Sequence, residues 1–101
     1  MISIKYTEDR NYIRITNSTS ESHNIGYISP INGELSVKSD LMNLIKDVGL
    51  DNLFDWKSGS GRHGGTSYEA HTTNHLSVDC TINFIKRVLL LTKQDFEVYL
   101  D

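Results

Sequence analysis

Apolar and polar positions alternate from the start of the chain: Ile2, Ile4 and Tyr6 are separated by Ser3 and Lys5, and Ile13 and Ile15 lie within Tyr12–Thr16. With the polar run Thr7–Asn11 as a turn, this period of two predicts an opening β-hairpin. Asn17 to Asn24 contains no apolar side chain and reads as a solvated loop or the tip of a long hairpin, with a strand resuming at Ile25. Asn32-Gly33 is the strongest turn signal, because Asn-Gly supplies the two positive φ angles of a type I′ turn. Pro30, which lacks an N–H, belongs at a strand end or edge.

The period changes after Val37. Leu41, Leu44, Ile45 and Val48 fall at i, i+3, i+4 and i+7, which predicts a helix over about 40–48, with Ser39 as N-cap and Gly49-Leu50 as a Schellman C-cap. Asp51–Trp56 reads as a short second turn that folds Phe54 and Trp56 back onto the core. Lys57 to Gly65, with glycines at 59, 61, 64 and 65, reads as a loop.

Ser67–His71 and Leu76–Phe84 then alternate again and predict a strand pair. With Thr72–Asn74 as its loop, His71 pairs with His75, Ala70 with Leu76, Glu69 with Ser77 and Tyr68 with Val78, so that one face is apolar throughout. A competing helix, Val78–Leu91 capped by Ser77, places Val78, Ile82, Ile85 and Leu89 on one stripe. The strand is preferred because the stretch has no Ala or Glu and is rich in β-branched residues. The tail fits either a helix opened by Thr92–Asp95 or a strand in which Phe96, Val98 and Leu100 alternate. The pattern as a whole predicts a single α+β domain over 1–101, an antiparallel sheet of hairpins packed against one main helix, with a possible C-terminal helix.

Composition narrows the function classes. The 101 residues are 38% hydrophobic and 23% charged, a profile that can bury one core but not two. The apolar run Val88–Leu91 is far shorter than the roughly 20 residues of a membrane-crossing helix. No signal segment is visible at residues 1–6, so a cytoplasmic location is expected. A net charge of −3 weighs against wholesale binding to a phosphate backbone and toward a basic protein partner. The single cysteine, Cys80, cannot form an internal disulfide and reads as a small core residue.

Gly59-Ser60-Gly61-Arg62-His63-Gly64 matches G-x-G-x-x-G in letters only, since a strand must precede that motif and a helix must follow it. Lys57, Arg62 and His63 could still meet an anion. His63, His71, His75 and Cys80 are the residues of metal-ligand type, without the spacing of a known zinc motif, and neither a metal nor a cofactor is expected. In the register above, His71 and His75 share a polar face with Glu69 and Asp79. That face permits a metal-independent nuclease in which His71 with His75 or His63 serves as base and acid and Arg62 steadies the phosphorane charge.

The acids are unevenly spread. Glu34, Asp40, Asp47, Asp51 and Asp55 face only Lys38 and Lys46 between residues 34 and 55. Asp47, Asp51 and Asp55 recur every four residues around the helix end, beside Trp56. Such a surface can steer a basic partner and compete with the phosphates that partner binds. In size and charge the chain is similar to bacterial immunity proteins and antitoxins. The expectation is a non-enzymatic inhibitor that masks the active site or substrate groove of a toxin, with Asp47, Asp51, Asp55, Trp56, Arg62 and His63 as contacts. A phage-encoded inhibitor of a host defence nuclease, anti-CRISPR-like, fits the same charge pattern, and the histidine-based hydrolase is the alternative from a different class.

Overall fold

The computed structural model describes residues 1–7, 12–18, 24–28, 33–63 and 66–100, and at 60–63, 66 and 67 the backbone alone. The fold is α+β: strands β1 (Ile2–Thr7), β2 (Tyr12–Asn17), β3 (Asn24–Ile28) and β4 (Leu35–Val37) precede helix α1 (Ser39–Asp47) and a 3₁₀ turn, Leu50–Leu53. Strands β5 (Trp56–His63) and β6 (Thr66–Thr72), helix α2 (Val78–Leu91) and strand β7 (Phe96–Leu100) complete it.

One seven-stranded sheet has the order β5-β6-β4-β3-β2-β1-β7. The expected opening hairpin forms, with Ile4 opposite Ile15. β3 and β4 pair antiparallel, and Gly33 takes the expected positive φ, 68°, while Asn32 and Pro30 lie outside the described residues. The sheet is mixed, because β7 runs parallel to β1.

Pairing in register assigns the two faces. Val98, Ile4, Ile15, Gly26, Val37, Ala70 and Ser58 form one row across all seven strands. This row faces the helices: a Cβ on Gly26 would come within 2.9 Å of Leu41 Cδ2 in α1. Leu41 and Ile45 of α1 and Ile85, Val88 and Leu89 of α2 close the core with the strand residues, all fully buried. Phe54 and Trp56 fold back as expected, Phe54 lying edge-on to Phe84 at 4.9 Å between ring centres.

Five local expectations are corrected. Residues 78–84 belong to α2, not to a strand, and Ser77 caps the helix by accepting from the Cys80 amide at 3.1 Å. The capped helix at Val78–Leu91 thus prevails because Thr81, Phe84, Ile85, Val88 and Leu89 all reach the core, and packing outweighs β-branched propensity. β6 and β7 lie five strand spacings apart, about 24 Å, and the 14 residues of α2 span about 21 Å, so the helix bridges the sheet. Cys80 is exposed rather than in the core, since it falls outside the buried stripe of α2.

Residues 56–63 form β5 rather than a loop; Gly59, at φ 71°, accommodates the irregularity between Ser58 and Gly61. The tail is a strand, not a helix, because Phe96–Leu100 finds a free sheet edge beside β1. Ser39 is the first residue of α1 rather than its cap, which is Lys38 without a side-chain bond. The other end of α1 is as expected, with Gly49 left-handed and its amide bonded to the Lys46 carbonyl at 3.0 Å.

Candidate functional site

The acidic helix end and Trp56 are brought together by the 3₁₀ turn. Once Gly49 reverses the chain, Leu50–Leu53 carries Asp51 back toward β5, and the Trp56 indole N–H donates to the Asp51 carbonyl at 2.8 Å. Phe54 meets the indole edge-on at 6.3 Å. The backbone of Asp55 is held from both sides: its amide donates to Asn74 Oδ1 at 2.9 Å, and its carbonyl accepts from the Thr73 amide at 2.9 Å. Asp47 and Asp55 are exposed and Asp51 is half-buried.

Between α1 and β5–β6 lies a groove of about 370 Å³ whose walls include Met42, Lys46, Asp51, Trp56, Lys57 and Glu69. Trp56 thus offers a partly exposed, fixed aromatic wall with charges of both signs around it. Of the residues expected to meet a partner, Asp51 and Trp56 line this groove. The backbones of Arg62 and His63 lie in β5, and their side chains lie outside the described part of the chain.

The polar face expected of Glu69, His71, His75 and Asp79 does not form. β6 pairs with β4 and β5, so His71 stands opposite Ser36 and Lys57 rather than His75. Glu69 lines the groove by α1, and Asp79 is exposed in the first turn of α2, where its charge suits the helix dipole. His75 sits in the connection to α2, its ring packed over Gly33, where an added Cβ would meet it at 2.8 Å.

His71 has a different partner, which sequence spacing did not reveal. Its Nδ1 lies 3.3 Å from a Glu34 carboxylate oxygen and 3.2 Å from the Thr72 carbonyl. With two acceptors facing it, Nδ1 is assigned the proton. The link depends on the β4–β6 pairing, a contact between strands distant in sequence. Among the described residues, no three His, Cys, Asp or Glu side chains are gathered as metal ligands, and no helix is long and apolar enough to cross a membrane.

The face of the sheet turned away from α1 and α2 has its own character. Tyr99, Lys5, Arg14, Tyr27, Ser36, His71 and Lys57 form the row next to the core-facing one. The Tyr27 ring lies 5.7 Å from that of Tyr12 and 6.4 Å from that of Tyr68. Burial pushes the Tyr68 phenol up to about 12, with nearby Arg14 pulling the other way. Tyr27 is raised by burial and by Tyr12, again opposed by Arg14.

No protein-family model, curated protein or solved structure matches this chain.

Proposed function

We propose that this chain is a small protein-binding inhibitor of the immunity or antitoxin type, which neutralises a nuclease by covering its active site or substrate groove. The observation that supports the reading is Trp56, fixed by its bond to the Asp51 carbonyl at a groove wall, with exposed Asp47 and Asp55 nearby in the chain. A preorganised aromatic loses little entropy on docking, and acids around it favour a basic surface. A partner side chain would enter the groove and pack against Trp56 while the carboxylates occupy sites that the partner's substrate phosphates otherwise take.

The test is capture of a partner from the source cell, followed by calorimetry with Trp56→Ala and with Asp47→Lys/Asp55→Lys. Weaker binding by both variants is expected. Capture of no stoichiometric partner, or a partner indifferent to both variants, rejects the reading. The identity of the captured protein separates toxin immunity from a phage-encoded inhibitor of a defence nuclease.

One observation favours a second reading, a metal-independent hydrolase or nuclease. The Glu34–His71 pair is the arrangement in which a carboxylate orients an imidazole as general base. On this reading His71 acts without His75. RNA or DNA cleavage lost in His71→Ala but kept in His75→Ala supports it, and absence of cleavage by the unaltered protein removes it.

A further inference from the structure

The row across the face turned away from α1 and α2 contains three permanent cations, Lys5, Arg14 and Lys57, with His71 and two tyrosines, and no acid. A chain of net charge −3 has therefore sorted part of its positive charge into one line. Lys5, Arg14 and Lys57 are exposed. Tyr99 is 44% exposed, and Lys5 Nζ stands 5.6 Å from its ring centre. Tyr12 and Tyr27 lie half-buried alongside, so four of the five tyrosines, counting Tyr68, belong to the row or to the ring cluster beside it.

We infer that this row is a docking platform for single-stranded nucleic acid, running across the strands from Tyr99 to Lys57. Seven strands span about 29 Å from first to last, which accommodates roughly four nucleotides or more. The cations supply phosphate contacts at intervals along that line. Tyr99 and Tyr27 supply ring faces for bases, which single strands can splay out and duplexes cannot. Ser36, in mid-row, is buried at 2% exposure, so the surface at that point belongs to its neighbours in the row, Tyr27 and His71. Glu97 and Glu34 share this face, their carboxylates taken up by the Tyr99 hydroxyl and by His71 respectively, which leaves Lys5, Arg14 and Lys57 as the row's phosphate contacts. The net charge misleads here because residues 34–55 alone, with five acids against Lys38 and Lys46, carry a net of −3, whereas strand register brings Lys5, Arg14 and Lys57 into line. Apart from Lys57, which also borders the groove beside α1, the row uses residues other than those of the proposed inhibitor surface, and Lys5 and Arg14 test it separately.

The test is fluorescence anisotropy at low salt with labelled single-stranded RNA, single-stranded DNA and a DNA duplex, each of mixed sequence. Both single strands should bind, the duplex more weakly, with a log–log salt slope of about −2 for three phosphate contacts. Lys5→Ala/Arg14→Ala should weaken binding about tenfold or more, while Lys5→Arg keeps it. Lys86→Ala/Arg87→Ala removes the same charge from α2 and should leave affinity unchanged. Thermal unfolding of each variant establishes that it is folded. Absence of binding at low salt overturns the inference. So does equal loss from the α2 pair, or a duplex bound as tightly as the single strands, either of which reports charge without the platform.

Discussion

The amide of Leu35 donates to the side-chain hydroxyl of Thr72 at 3.0 Å, across 37 positions of sequence and inside the protein, where both residues are fully buried. This bond ties the start of β4 to the end of β6, where the ladder itself stops at Ser36–His71. Thr72→Val keeps the shape but leaves the Leu35 N–H without that acceptor. The expected loss is about 1–3 kcal/mol, read from urea unfolding, with Thr72→Ser retaining most of the stability. A Thr72→Val protein as stable as the parent would show that the amide finds another partner.

Gly26 lets Leu41 of α1 pack directly on the sheet. A Cβ there would stand 2.8 Å from Ile15 Cδ1 and 2.9 Å from Leu41 Cδ2, so Gly26→Ala overpacks a filled core and should cost about 1–3 kcal/mol. Ile15→Val removes one of the two colliding atoms. Its own cost should therefore be smaller in the Gly26→Ala background than in the parent, and a double-mutant cycle measures the difference. Additive costs would show that the backbone has moved instead.

What could be read from sequence was whatever rests on local pattern. Ile2, Ile4, Ile13 and Ile15 announce their hairpin because each strand alternates over a half-buried face, and Leu41 and Ile45 announce α1 at helical spacing. Residues 76–84 failed because they satisfy both periods at once. Only the position of α2 over Ile4, Ile15 and Val37 decides between them, and that is a tertiary fact. Glycines made β5 look like a loop, although Gly59 serves a bulge in a paired strand. For the candidate site, the Asp51–Trp56 neighbourhood was legible because it spans one turn. The Glu34–His71 pair and the cationic row were not, because they depend on which strand lies beside which.

Lys93 follows α2 with a φ of 58°, and its amide and that of Gln94 bond the Leu90 and Leu89 carbonyls at 3.2 and 2.9 Å. This is a Schellman ending with a lysine at the position glycine usually takes. Lys93→Gly should relieve the left-handed strain and stabilise the fold by about 1 kcal/mol, seen as a rise in Tm. An unchanged or lower Tm would mean that the Lys93 side chain offsets the strain.

Tyr68 makes stability fall at high pH. Its phenol, 5% exposed, is raised by burial to about 12 from an ordinary value of 10.0, so the fold favours the neutral form. For a group whose folded pKa is the higher, the contribution is fully present below the unfolded value and is lost as pH rises through the folded one. The window is therefore about pH 10 to 12. Tyr27 moves the same way and widens the effect. Tm should drop through this range more steeply in the parent than in Tyr68→Phe, because phenylalanine has no proton to lose. Tyr27 and Tyr99 are also raised, so phenolate absorbance should show several late-titrating tyrosines in the parent, and Tyr68→Phe should lack the one that titrates near 12. If the Tyr68→Phe difference spectrum shows Tyr68 ionising near pH 10 in protein that is still folded, then Tyr68 is open to water and the rings around Tyr27 pack more loosely than the structure has them.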